Sequence, residues 1–107
     1  MTTLTSNTQQ LIEKLFPEPE RANVAHLLER ECGTNLPFCE KYTPLQLERF
    51  QFAALKLSEG DMSKLLTAIK VAKVDWRDLL VAAGFHHSVI EHQRWCGRIL
   101  GTPTVPY

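Results

Sequence analysis

Apolar side chains recur along much of this chain at three- and four-residue intervals, the spacing that gathers them on one face of an α-helix. Leu11, Ile12, Leu15 and Phe16 share one side of a short predicted helix over 8–16, which Pro17 and Pro19 interrupt. Val24, Leu27 and Leu28 keep the spacing through a second helix over 20–32, with Gly33 placed as its C-cap stop. Residues 35–42 hold Pro37 and no sustained period, and read as an irregular connector. Thr43-Pro44 then offers an N-cap and a first-turn proline for a helix running to Ser58. Its stripe is Leu47, Phe50, Ala54 and Leu57. Phe52 and Leu55 widen that stripe enough for contacts on more than one side.

Gly60-Asp61 ends this helix and starts the next, where Met62, Leu65, Leu66, Ile69 and Ala72 continue the period to about Val74. Asp75 is placed to cap a separate helix from Trp76 to Ala83, closed by Gly84. Ser88 and Glu91 form a capping-box pair at the start of a last helix, with Val89, Trp95, Cys96 and Ile99 able to face inward. Period-2 alternation between hairpin turns is absent. The expectation is an all-α fold, a compact bundle of five to six short helices in one domain over 1–107, with 1–7 and 101–107 as flexible tails. The expected core is drawn from Leu27, Leu28, Leu47, Phe50, Ala54, Leu57, Leu65, Leu66, Ile69, Trp76, Leu79 and Leu80.

Composition sharpens this picture mainly by exclusion. Lysine and arginine number 12, as do aspartate and glutamate, so the formal charge is zero. That balance lacks the excess of cations with which nucleic-acid binders neutralise phosphates. The longest apolar run, Leu79 to Ala83, is far too short to cross a bilayer, and no membrane partner is expected. Residues 1–10 have neither the basic nor the apolar region of a secretory signal, which places the protein in the cytoplasm. There Cys32, Cys39 and Cys96 default to reduced thiols.

The stretch Glu31 to Glu40 reads ECGTNLPFCE, and Asp75 to Phe85 reads DWRDLLVAAGF. Together they resemble a pattern in a group of small bacterial helical proteins, over roughly residues 27–95. The resemblance implies a bacterial, cytoplasmic, helical protein. It brings no activity, cofactor or partner.

Among chemical constellations, three thiolates and an imidazole from Cys32, Cys39, His92 and Cys96 would make an acceptable zinc set, with His92 and Cys96 one helical turn apart. Against it, six residues separate Cys32 from Cys39, wider than the usual gap between paired ligands. No cofactor is expected. His86 and His87 read as a polar loop before the last helix. A phosphate-binding loop, a dinucleotide fingerprint, a HExxH motif and a calcium loop are all absent. No catalytic residue is nominated, and the protein is not expected to be an enzyme. A helix-turn-helix reading has Lys64, Lys70, Lys73, Arg77, Arg94 and Arg98 in its favour. It is opposed by Asp61, Asp75 and Glu91 at the helix starts, which repel phosphate. The expectation is therefore a protein-interaction module of the adaptor, inhibitor or immunity type, binding another protein or itself. Its expected contact residues are Phe38 and Tyr42 of the connector and Phe52 of the wide-faced helix.

Overall fold

Thr5 starts the first helix. In the computed structural model, which describes residues 4–101, its hydroxyl accepts the Thr8 N–H and caps α1 (Ser6–Leu15). The start is earlier than the sequence suggested, and Leu4 ahead of it is only 6% exposed. Residues 4–7 are thus part of the packed structure and not a tail, because Leu4 and the Thr5 hydroxyl both find partners in the body of the protein. Residues 1–3 and 102–107, also expected as tails, lie outside the described residues. Pro17 breaks the chain, and α2 (Glu18–Glu31) follows with Pro19 in its first turn.

Thr43 opens α3 (Pro44–Ser58) with a reciprocal capping box. Its hydroxyl accepts the Gln46 N–H at 3.3 Å, and the Gln46 side chain accepts the Thr43 N–H at 2.8 Å. This helix lies at the centre of the fold and packs on α1, α4 and α5. Phe50, Phe52, Ala53, Ala54 and Leu55 are all buried along it, and so are the polar side chains of Glu48, Gln51 and Ser58. Glu48, Ser58 and the Gln51 amide nitrogen find partners locally or on neighbouring elements, whereas Gln51 Oε1 is buried with no donor to it among the described residues. The Thr5 hydroxyl donates to the Glu48 carboxylate, Gln51 Nε2 donates to the Cys32 carbonyl at 3.3 Å, and Ser58 donates to the Leu55 carbonyl at 2.6 Å. The wide arc of α3 is therefore covered by the chain's own helices. Phe52, expected as a contact residue, is 1% exposed and belongs to the core.

The turn from α3 to α4 passes through Glu59 and Gly60, both at positive φ. A β-carbon on Gly60 would stand 2.5 Å from the Leu15 carbonyl oxygen, so only glycine lets this turn pack against the end of α1. Asp61 then caps α4 (Met62–Ala83), its carboxylate accepting the Ser63 and Lys64 N–H groups. The two helices expected over 62–83 follow each other end to end within α4 and part, as expected, at Asp75, whose φ of −156° and ψ of 104° are not helical. Leu65, Ala68, Ile69 and Ala72 form the buried stripe of its first half. Leu66 stands about 100° round the helix from Leu65 and is 42% exposed, which removes it from the expected core. Leu27, Leu57 and Trp76 are half-buried against the core, and the other predicted core residues are buried.

Ser88 caps α5 (Val89–Leu100) through the Ile90 N–H. Trp95 and Cys96 face the core as expected, whereas Val89 in the first turn is 59% exposed. The result is an all-α bundle of five helices with no strand among the described residues. No helix among them is long and apolar enough to cross a membrane.

Candidate functional site

The connector between α2 and α3 has an order that its sequence hides. Three turns follow one another, each closed by a backbone bond of about 3.0 Å: Leu36 N–H to Gly33, Cys39 N–H to Leu36, and Tyr42 N–H to Cys39. The repeat of three turns Leu36 and Cys39 into the core and leaves Tyr42 half-buried. Gly33 begins the series, but not as a left-handed C-cap, since its φ is not positive. Its role is close approach: a β-carbon there would sit 3.2 Å from the Glu29 carbonyl oxygen. Asn35 locks the entry by accepting the Gly33 N–H at 2.9 Å and donating to the Glu31 carbonyl at 3.0 Å.

Pro37 and Phe38 occupy the two central positions of the middle turn. Pro37 supplies the negative φ of the first, and Phe38 takes a φ of +66° in the second, as a type II turn requires. The turn is pinned to α4 by the Trp76 indole N–H, which donates to the Pro37 carbonyl at 2.9 Å. An ion pair of 2.7 Å between Lys73 and Glu31 ties the end of α2 to the same part of α4. Phe38 is consequently held 83% exposed on an anchored backbone. Beside it Val74, the residue before the kink, is 84% exposed. Both border a hollow of about 270 Å³ that also touches the Asp75–Arg77 ion pair.

On the other side of Trp76 lies a second, more apolar cleft of about 300 Å³. Its walls are aromatic. Tyr42 stacks on Phe50 with ring centres 6.0 Å apart, and Phe50 meets Trp76 at 5.0 Å with the planes tilted by 57°. Leu45 and Val89 add exposed aliphatic groups, and Gln46, Arg49 and His92 supply the polar ones. Arg49 reaches across to α5's approach, donating from Nε and Nη2 to the Phe85 carbonyl at 3.1 and 2.6 Å.

The residues nominated for zinc do not come together. Among the described residues no group of three or more His, Cys, Asp or Glu side chains could hold a metal ion. Cys32 and Cys39 lie near each other at the start and middle of the turn series, whereas Cys96 on α5 faces Glu48. Burial pushes the Cys32 thiol up to about 12, with Cys39 adding to it, and the Cys96 thiol up to about 11, with Glu48 adding to it. These are buried thiols, not thiolates. His92 packs edge-on between the rings of Phe52 and Phe85, with centres 5.5 and 6.2 Å away. Burial and then the Arg49 charge lower its pKa to about 4, so it is neutral at pH 7. His86 and His87 are exposed, with ring centres 3.9 Å apart.

Of the expected contact residues, then, Phe38 is displayed, Tyr42 is shared between the core and the cleft, and Phe52 is enclosed. The sequence did not single out Val74, Arg49 or Trp76 for a surface role. Arg49 carried a signal, a cation set directly beside the apolar positions of α3. Val74 carried one too: at about 100° per residue it falls on the face of α4 opposite Leu65, Ile69 and Ala72, so the helical period alone leaves it outside the buried stripe. Comparison of the chain with protein-family models, with curated proteins and with solved structures finds no match.

Proposed function

We propose that this chain is a non-enzymatic protein-interaction module whose contact surface centres on Phe38. The observation that carries the reading is the conformation of that residue. A side chain in the left-handed region costs roughly 1–2 kcal/mol, and the 83% exposed ring of Phe38 returns little core packing in exchange. Strain retained at an exposed position is characteristic of sites that clamp a ligand. Aromatic side chains presented on rigid turns are also the usual anchors of protein interfaces. Val74 extends the apolar surface, and the exposed Asp75–Arg77 pair gives it a polar edge. The partner is another protein or a second copy of this chain, in the manner of an adaptor, inhibitor or immunity protein. We place it in the bacterial cytoplasm on the resemblance of its Glu31–Glu40 and Asp75–Phe85 segments and on its three buried free cysteines.

The nucleic-acid alternative is disfavoured by the zero formal charge and by Asp61, Asp75 and Glu91 at helical starts. The test compares wild type with Phe38→Ala and Val74→Asp in sedimentation velocity over a range of concentrations and in affinity capture. Self-association or a captured partner lost in both variants supports the reading. A partner that both variants retain removes this surface from consideration, and steeply salt-dependent retention on immobilised DNA would favour the alternative.

A further inference from the structure

Arg49 is a half-buried cation with no acid beside it. None of the ion pairs among the described residues includes it, and its hydrogen bonds go to a backbone carbonyl alone. Burial pushes its pKa down and no acidic neighbour pushes it back up. Taking a guanidinium out of water without a counter-ion is costly. The Phe85 carbonyl clamps its Nε and Nη2, so the fork is fixed in place while Nη1 has no protein acceptor among the described residues. The same side chain lines the cleft of about 300 Å³ between Tyr42, Phe50 and Trp76. With His92 neutral, Arg49 is the one charged group of that lining at pH 7.

The geometry points to a binding site for a small aromatic carboxylate, with the carboxylate on the free edge of Arg49 and the ring against Tyr42, Phe50 and Trp76. Each part of this ligand answers a feature of the cleft. The unopposed cation sets the sign of the charge, and a guanidinium edge matches the planar carboxylate. The aromatic walls favour a ring, which they can meet offset or edge-on. The volume is at the lower limit of ligand pockets, room for one ring on a short chain and not for a nucleotide or a folded peptide. The site does not depend on the Phe38 surface, although Trp76 borders both hollows. No reaction is required of it: none of its groups is a nucleophile poised beside a base.

The full chain is titrated with 3-phenylpropionate, and in parallel with its neutral amide and with acetate, reading tryptophan fluorescence and the backbone and indole N–H signals by NMR. The expected result is saturable binding of the acid, with shifts at the Trp76 indole and residues 42–50. The amide should bind at least about tenfold more weakly, the cost of losing one charge-assisted hydrogen bond, and acetate not at all. Arg49→Gln should erase the difference between acid and amide. Because Arg49 also holds the Phe85 carbonyl, a second variant guards against simple unfolding. Val89→Asp alters an exposed side chain at the cleft, in the first turn of α5 where an acidic side chain is tolerated, and should weaken binding of the acid selectively without lowering the melting temperature. Equal binding of acid and amide, shifts confined to another face, or no saturable binding of the acid would each overturn the assignment.

Discussion

Phe38 occupies a backbone region in which its own β-carbon costs free energy. Phe38→Gly should therefore stabilise the fold, by about 0.5–1 kcal/mol after the extra unfolded-state entropy of glycine is offset, while removing the ring on which the proposed contact depends. Urea unfolding at neutral pH measures this. A loss of stability would show instead that the ring packs against the protein in solution. His92 makes a second residue-scale prediction. Its folded pKa, near 4, lies below its usual 6.5, because burial and then Arg49 disfavour the charged ring. The unfolded chain binds the proton more readily, so this contribution is fully present above pH 6.5 and is lost as the pH falls towards 4. Between those limits the loss is on the order of 3 kcal/mol. The carboxylates of Glu31, Asp61 and Asp75 are held below their usual range and add their own loss only at the acidic end of that window. Stability of wild type and His92→Gln, followed from pH 7 to pH 5, separates the two: the variant should show the flatter profile.

At the scale of elements, the kink in α4 is made by one side chain. Asp75 leaves the helical region, and its Oδ1 accepts the Arg77 N–H at 3.0 Å, which restarts the helix as an N-cap does. The Arg77 guanidinium also pairs with this carboxylate, but the pair is exposed and worth little. Asp75→Ala should accordingly cost about 0.5–2 kcal/mol. Asp75→Asn, which keeps the capping oxygen, and Arg77→Gln, which removes only the ion pair, should each cost less than that. Chemical denaturation of the three variants checks the ranking; a cost at Arg77 equal to that at Asp75 would assign the stabilisation to the charge pair and not to the cap. The kink matters beyond stability. Just beyond it, Trp76 reaches back to the connector. The Phe38 turn thus depends on a helix break more than thirty residues away.

The molecule as a whole is organised around α3, which the other helices enclose to the point of burying Glu48 and Gln51. Enclosure closes at the N-terminal end through Leu4 and Thr5. The Thr5 hydroxyl both caps α1 and donates to the buried Glu48 carboxylate. Thr5→Val should cost about 2–4 kcal/mol, the sum of a lost cap and a lost bond to a buried charge. For a domain of this size that lowers the melting temperature by well over five degrees, readable by circular dichroism. A change near zero would mean that the segment before α1 is the flexible tail that its Thr- and Ser-rich sequence suggests.

Helix starts and stops could be read from the order of the amino acids alone. Thr43-Pro44, Asp61, Ser88, Gly60, Gly84 and even the break at Asp75 were legible, because caps and stops are local hydrogen-bond and backbone choices made within three or four residues. The same order also marks most of the core, since Leu28, Leu47, Phe50, Leu65 and Leu79 fall on periodic stripes. Tertiary structure decided the rest. Leu66 lies out and Leu65 in, because adjacent apolar positions on a helix are told apart only by where the neighbouring helix packs. The breadth of α3 announced an unusual number of contacts, but only the enclosing helices show that its own chain supplies them and that Phe52 is unavailable to a partner. The anchoring of the connector to α4, which holds Phe38 in solvent, and the acid-free Arg49 in its aromatic cleft were beyond reach for the same physical reason. Each depends on groups far apart in sequence, Trp76 with Pro37, Phe85 with Arg49 and Phe50 with Trp76, and no local period encodes such meetings.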